Sequence, residues 1–100
     1  MVEKITWSPK AVDTYNAVIE YLLKEWTEKE VTNFILRVER KLELLKAQPK
    51  IGKVSGKKLH YYRTLIHKRI TLVYHFRPAK KELELVIFWN HWQNPKRLKY

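Results

Sequence analysis

The chain contains 100 residues, 45% of them hydrophobic, carries a net charge of +11 and includes no cysteine. This length and apolar content predict one folded domain over residues 1–100 with a single core, and argue against a disordered chain. The lack of cysteine excludes disulfides, thiol nucleophiles and cysteine metal sites. The sequence shows neither a signal-peptide pattern nor an apolar run of membrane-spanning length, so we expect a cytoplasmic protein with no membrane partner.

The positive charge is confined to the second half of the sequence. Residues 1–48 carry eight basic and eight acidic side chains, whereas residues 49–100 carry thirteen basic residues and only Glu82 and Glu84 as acids. So complete an asymmetry favours an anionic partner, either nucleic acid or an acidic protein segment, over a merely solvated surface.

The chain begins with a predicted strand and a predicted helix. Alternation of apolar and polar residues over Val2–Trp7 indicates a short strand. Ser8 then has the character of an N-cap, and Pro9 suits the first helical position because its missing N–H costs nothing there. Apolar residues spaced three and four apart continue this helix to about Trp26.

A second amphipathic helix is predicted directly after the first. Thr27 and Glu30 match a capping box, and the helix stops before Pro49. Its apolar stripe is Val31, Phe34, Ile35, Val38, Leu42 and Leu45. Two helices with so short a connection must fold back as an antiparallel hairpin.

The rest of the chain is predicted to be a loop followed by three strands. Lys50–Lys58 contains both glycines and four lysines and indicates the loop. Beyond it the period of apolar residues changes to two. The predicted strands are Tyr61–Ile66, Arg69–Phe76 and a last strand through Leu83, Leu85, Ile87 and Trp89, with turns at His67-Lys68 and over residues 78–81. Apolarity on both faces of the last strand's later part predicts a strand covered on each side.

This order of elements predicts an α+β fold. An N-terminal strand and an antiparallel helical hairpin precede a three-stranded antiparallel meander, with the helices packed on one face of an antiparallel sheet. We expect Tyr74, Phe76 and Trp89 to lie under the hairpin as part of the core.

No pattern in the sequence is typical of a metal or cofactor site. The four histidines lack metal-binding spacing, and the chain contains neither a Gly-rich phosphate loop nor a GxSxG motif. We therefore expect no metal and no cofactor.

Basic residues set among aromatic ones predict an anion-binding surface in the second half. Arg63 lies within the first of the three strands, where a long cation contributes little to packing. Cations among aromatic rings on a sheet suit single-stranded RNA, because the bases stack while Lys and Arg pair with phosphates. The candidate binding residues here are Lys57, Lys58, Arg63, Lys68 and Arg69.

Several segments, taken in order, resemble the RelE/ParE toxin superfamily of bacterial type II toxin–antitoxin modules. They are Ile5–Ala11, Gln48–Gly52, Tyr62-Arg63, Thr71–Tyr74 and Phe88–Pro95. The resemblance covers essentially the whole chain. It implies the fold predicted above, a cognate antitoxin as partner and a toxin–antitoxin hetero-oligomer.

The superfamily divides by target, and the resemblance favours one branch. RelE-like members cut mRNA on the ribosome with a cluster of cations, whereas ParE-like members poison DNA gyrase and lack most of that cluster. Arg63 matches the basic position in the first central strand. Leu65, Thr71 and Trp92 stand where further cations are usual, which favours a ParE-like toxin.

Two alternatives stay open. One is a RelE-like endoribonuclease with Arg63, His60 and His91 as catalytic candidates. The other is a non-toxic module that binds an antitoxin or nucleic acid. Whichever target applies, the resemblance adds Trp92, Lys96 and Arg97 to the candidate binding residues, because Trp92 and the segment after it hold the position where the superfamily keeps functional groups.

Overall fold

The computed structural model describes residues 2–67 and 69–91. In chain order its elements are β1 (Lys4–Trp7), α1 (Pro9–Glu25), α2 (Glu28–Ala47), β2 (Lys53–Val54), β3 (Tyr61–His67), β4 (Ile70–Arg77) and β5 (Glu82–Asn90). The five strands form one sheet in the order β1-β5-β4-β3-β2. The predicted α+β fold, with its hairpin of helices and its antiparallel β3–β4–β5 meander, is confirmed. None of the described helices is both long and apolar enough to cross a membrane.

The sheet differs from the prediction at its two edges. It is mixed rather than wholly antiparallel, because β1 pairs in parallel with β5. The backbone N–H of Val2 donates to the carbonyl of Lys46 at 3.0 Å, so α2 returns the chain to the start of β1. A three-stranded meander that starts at this end of the sheet has its first and third strands running in the same direction as β1. Its third strand, β5, is therefore parallel to β1. At the other edge β2 lies inside the predicted Lys50–Lys58 loop and pairs with β3.

Both helices begin at the predicted caps. The hydroxyl of Ser8 accepts a hydrogen bond from the N–H of Ala11 at 3.0 Å, and Pro9 occupies the first turn of α1. The hydroxyl of Thr27 accepts from the N–H of Glu30 at 3.4 Å and starts α2. Such bonds satisfy N–H groups that have no partner within the helix.

The core lies between the two helices and one face of the sheet. Phe34 of α2 is 1% exposed, and its ring centroid lies 5.9 Å from that of Tyr15 in α1. Tyr15 in turn lies 5.2 Å from Phe88 of β5, so the aromatic contacts run from helix to helix to sheet. Tyr74 and Phe76 are buried in this core, as predicted.

The prediction for Trp89 is wrong, and a β-bulge explains why. Val73 of β4 pairs with Ile87, whereas the next residue, Tyr74, pairs with Leu85, so Val86 is an extra residue in β5. An extra residue shifts the alternation of side chains by one. Beyond the bulge, Phe88 therefore faces the helices, and Trp89 lies on the opposite face, across from Thr71.

The bulge and the edge of β5 are held by two hydroxyls of α1 and its cap. Beyond Leu85, β5 has no further pairing with β1. The Ser8 hydroxyl donates to the Val86 carbonyl at 2.8 Å, and the Thr14 hydroxyl accepts from the Phe88 N–H at 3.0 Å. These side chains satisfy edge groups that a neighbouring strand would otherwise bond.

Replacement of Phe34 tests the assignment of the core face. Phe34→Ala should lower the free energy of unfolding by about 3–5 kcal/mol, because it removes a buried ring and leaves a cavity. Leu36→Ala is the matched control on the same helix, since Leu36 is 41% exposed and a surface change costs about 0.5 kcal/mol. Urea unfolding measures both, and equal losses in the two variants would contradict the assignment.

Ser8 offers a test of the contact between α1 and the bulge. Ser8→Ala removes both the cap and the bond to Val86, so we expect a loss of about 1–2 kcal/mol in unfolding free energy. Ser8→Thr keeps the hydroxyl and should retain most of that stability. Thermal unfolding followed by circular dichroism compares them, and an unchanged melting temperature in Ser8→Ala would show that the hydroxyl contributes nothing.

Candidate functional site

The outer face of the sheet, opposite the helices, presents Arg63 at the edge of an open depression. Arg63 lies in β3 between Lys53 of β2 and Val73 of β4, and it is exposed. The depression has a volume of about 350 Å³. Its lining residues are Ile51, Gly52, Lys53, Arg63, Thr64, Leu65 and Thr71. None of these is acidic, so within the described residues its charged groups are two cations.

The wall of the depression is fixed by a close contact at Gly52. Its N–H donates to the Tyr74 hydroxyl at 3.1 Å, and that hydroxyl donates to the Pro49 carbonyl at 2.8 Å. A Cβ at Gly52 would lie 2.7 Å from both the Arg63 carbonyl oxygen and the Tyr74 hydroxyl, so only glycine fits without a shift. Burial raises the pKa of Tyr74 to about 12, so the hydroxyl keeps its proton at neutral pH. Lys53 is thereby held beside Arg63.

His91 approaches the depression through Thr71. Its Nε2 lies 2.9 Å from the Thr71 hydroxyl, and its backbone N–H donates to the Arg69 carbonyl at 2.7 Å. Thr71 pairs with Leu65 across the β3–β4 ladder. The structure thus brings His91, Thr71 and Arg63 to one side of the sheet, with the exposed Arg69 at the same end.

His60 does not join Arg63 and His91. His60 precedes β3 and has a backbone φ of 63°, a conformation that residues other than glycine rarely adopt. Its carbonyl accepts from the Phe76 N–H at 3.0 Å, and its ring centroid lies 6.4 Å from that of Phe76. His60 does not line the depression that Arg63 borders and that His91 reaches through Thr71, so the three predicted catalytic residues are not gathered at one depression.

Lys57 and Lys58 are exposed in the segment before β3. The ammonium of Lys58 lies 5.5 Å from the centroid of the Tyr61 ring, within the range of a cation–π interaction. Tyr61 stacks on His75 with centroids 4.3 Å apart and planes 9° apart. These lysines therefore extend the positive outer face beyond Arg63, toward the end opposite His91. The predicted binding residues Lys68, Trp92, Lys96 and Arg97 lie outside the described residues.

At the end of the sheet near His75, the positive charge of Arg77 is balanced by two carboxylates. The guanidinium of Arg77 bonds the carboxylates of Glu82 at 2.6 Å and Glu84 at 2.9 Å. Although burial acts against the charged form, Glu84 and Glu82 raise the pKa of Arg77 above its ordinary value. Burial, with the nearby Arg77 charge, lowers the pKa of His75. Arg77 is thus engaged in ion pairs, whereas Arg63 makes none within residues 2–67 and 69–91.

Lys53 and Ile51 are site residues that the sequence reasoning missed. Both lay in a stretch predicted to be a loop, and a two-residue strand leaves no readable alternation. The only sequence signal was the Gln48–Gly52 segment that contributed to the family resemblance. The paired cations of Lys53 and Arg63 can bind a phosphate or a carboxylate by charge-assisted hydrogen bonds. Among the described residues no group of three His, Asp or Glu side chains is arranged to hold a metal ion.

Arg63→Ala separates a binding role from a packing role. If Arg63 contacts a partner from the exposed face, the free energy of unfolding of the variant should stay within about 0.5 kcal/mol of the original value, and its melting temperature should change little. The toxicity that the resemblance implies should nevertheless weaken, since a lost charge-assisted contact costs about 1.5–3 kcal/mol. Lys10→Ala, an exposed cation of α1, is the control. A melting temperature and a toxicity that fell together, with growth of induced cells restored, would assign Arg63 a structural role.

Comparisons with known proteins agree with this fold. A sequence model described as the ParE toxin of the type II toxin–antitoxin system parDE matches residues 5–95. A search of curated protein sequences gives no significant match. Solved structures of similar fold span both branches of the superfamily.

Three of these structures illustrate that range. A chromosomal ParDE toxin–antitoxin system from P. aeruginosa superposes with a TM-score of 0.70 at 10% identity, covering 90% of this chain and 96% of that one. A YoeB/ParE toxin from Agrobacterium tumefaciens gives 0.66 at 16% identity, covering 89% and 99%. The intact E. coli RelBE complex gives 0.59 at 15% identity, covering 86% and 93%. Because the family match extends over nearly the whole sequence, the chain belongs to the ParE toxin family of the RelE/ParE superfamily.

Proposed function

We propose that the protein is the toxin of a bacterial type II toxin–antitoxin module, that it acts in the cytoplasm, and that it inhibits growth in the ParE manner by binding DNA gyrase. The observation that carries this proposal is the composition of the depression at Arg63. Leu65 and Thr71, which stand where RelE-like members usually have cations, both line it, together with Arg63 and Lys53.

RNA cleavage makes chemical demands that this lining meets poorly. Attack of a ribose 2′-OH on its phosphate needs a base for the hydroxyl proton and cations for the charge that develops. Leu65 is 56% exposed, so an apolar side chain in the lining of the depression is open to solvent. Exposed apolar surface beside cations suits contact with a protein better than stabilisation of a phosphorane.

A cognate antitoxin is the second part of the proposal. Solved structures with this fold include ParDE and RelBE complexes, and the basic second half of the present chain would attract an acidic segment. Electrostatic attraction of this kind raises association rates and weakens as salt increases. The toxin and antitoxin would then form a hetero-oligomer.

A ribosome-dependent endoribonuclease is the second candidate, and one observation favours it. His91 bonds to Thr71 at the depression, so a histidine stands on the same face as Arg63 and Lys53. A histidine and two cations are a minimal set for general acid–base cleavage of RNA.

Two assays on the purified protein distinguish these functions. The protein should inhibit supercoiling of relaxed plasmid by DNA gyrase and leave ribosome-bound mRNA intact in a primer-extension assay. Arg63→Ala should weaken the inhibition by about tenfold or more, because it removes a charged contact. Cleavage of mRNA without an effect on gyrase would establish the alternative, and a chain without effect in either assay or on growth would be a non-toxic binding module.

A further inference from the structure

A row of side chains crosses the outer face of the sheet at the end opposite His91. The register of the strands places Tyr61 of β3 beside His75 of β4, and His75 beside Glu84 of β5. The rings of Tyr61 and His75 are stacked, with centroids 4.3 Å apart and planes 9° apart. The ammonium of Lys58 lies 5.5 Å from the centroid of the Tyr61 ring. The contacts of this row therefore connect a cation, two rings and a carboxylate.

The imidazole of His75 lies in the middle of the row and lacks a hydrogen bond. Its Nδ1 is buried and has no hydrogen-bond partner among the described residues. Such a nitrogen is unusual, because it loses its bonds to water and gains none in return. Glu84, the neighbour of His75 across the β4–β5 ladder, accepts instead from the guanidinium of Arg77 at 2.9 Å. His75 thus lies next to a carboxylate that another cation already holds.

The charges around His75 favour its neutral form at neutral pH. Burial lowers the pKa of His75 below its ordinary value of 6.5, and the positive charge of Arg77 lowers it too, whereas Glu84 raises it. The guanidinium of Arg77 also donates to Glu82 at 2.6 Å, so it holds both nearby carboxylates. The other charged or titratable groups at this end of the outer face are Lys4, which pairs with Glu82 across the β1–β5 ladder, Lys58, His60 and Tyr61.

We propose that His75, Glu84 and Arg77 form a proton-operated switch on the outer face of the sheet. When His75 takes up a proton from solvent, its Nδ1–H donates to the Glu84 carboxylate, which turns away from Arg77. The imidazolium is then held by a charge-assisted hydrogen bond on one side and by the face of the Tyr61 ring on the other. Arg77 keeps its bond to Glu82 and exposes its second N–H group.

The switch changes the charge of this end of the outer face. At neutral pH the charge of Arg77 is balanced by two carboxylates. Protonation adds one positive charge and leaves Arg77 with a single carboxylate, so its free N–H group can bind an anion. The basic surface at Lys58 and Arg63 then extends to Arg77. The inference holds whichever target the toxin has, so toxicity is not its readout.

Nuclear magnetic resonance of side chains in the full chain measures the two events separately. The Hε1–Cε1 signals of the four histidines report the protonation of each ring, and the Nε–Hε signal of Arg77 reports its bonding. A titration from about pH 8 to about pH 5 covers the range in which histidines change charge. We expect His75 to titrate below the ordinary histidine value, and the Arg77 signal to shift with the same midpoint.

Three variants test the coupling of these groups. His75→Phe keeps a ring against Tyr61 but takes up no proton, so the Arg77 signal should stay constant through the titration. Glu84→Gln removes the carboxylate, so the midpoint of His75 should fall further and the Arg77 signal should no longer follow it. His60→Asn is the matched control. It removes the neighbouring imidazole at a left-handed backbone position that asparagine tolerates, and the coupled shift should remain.

Urea unfolding at several pH values supplies a second readout. A histidine whose pKa is lower in the folded than in the unfolded chain gives its full stability above the unfolded value. That stability is lost as the pH falls through the unfolded value toward the folded one. The urea midpoint should therefore fall more in the original chain than in His75→Phe when the pH falls from about 7.5 to about 5.5. The other histidines are common to both proteins, so the difference isolates His75.

Three results would overturn the inference. An Arg77 signal that stays constant while His75 titrates would show that Glu84 does not change partner. An Arg77 shift that persists in His75→Phe would assign the shift to another group. Equal losses of stability in the original chain and in His75→Phe would show that folding does not oppose protonation of His75. Circular dichroism confirms that each variant is folded, and His75→Gln, which also stays uncharged, replaces His75→Phe if that variant is not.

Discussion

Two hydroxyl groups at the start of α1 hold the arrangement on which the rest of the structure depends. Ser8 bonds the carbonyl of Val86, and Thr14 bonds the N–H of Phe88, where β5 extends beyond β1. They fix α1 along the strand and satisfy the backbone around the extra residue of the bulge. Since buried or half-buried backbone groups are costly to leave without partners, these bonds make the bulge a stable part of β5 rather than a local defect.

The bulge decides which residues of β5 belong to the core and which to the functional face. Before it, Leu83 and Leu85 face the helices, and beyond it Phe88 takes that side. Without the extra residue, His91 would share the alternation of Leu83 and would lie toward the helices. With it, His91 bonds Thr71 at the depression that Arg63 borders. The bulge therefore places Phe88 in the aromatic core and His91 on the opposite face of the sheet.

Most of the fold could be predicted from two signals in the sequence, the periodicity of apolar residues and the helix-capping residues. Ser8, Thr27 and the apolar stripes predict α1 and α2, and alternation predicts the meander, because these signals are local. The burial of Ile87 beside Phe88 likewise agrees with a last strand covered on both sides. The position of Trp89 could not be predicted, since the bulge depends on a contact between residues 8 and 86 that are 78 positions apart. Arg63 was found as an isolated strand cation, whereas its neighbour Lys53 was missed because β2 is too short to show a pattern.

The central claim is that the alternation of side chains along β5 shifts by one residue at Val86. Trp89 and His91 therefore lie with Arg63 on the outer face of the sheet. Nuclear Overhauser contacts from the Trp89 ring measure this directly in solution. The account predicts contacts from that ring to the Thr71 methyl group and the Leu65 side chain, while the Phe88 ring contacts Tyr15 and Trp7. Contacts from the Trp89 ring to Tyr15 and Phe34, with the Phe88 ring facing Thr71, would contradict it.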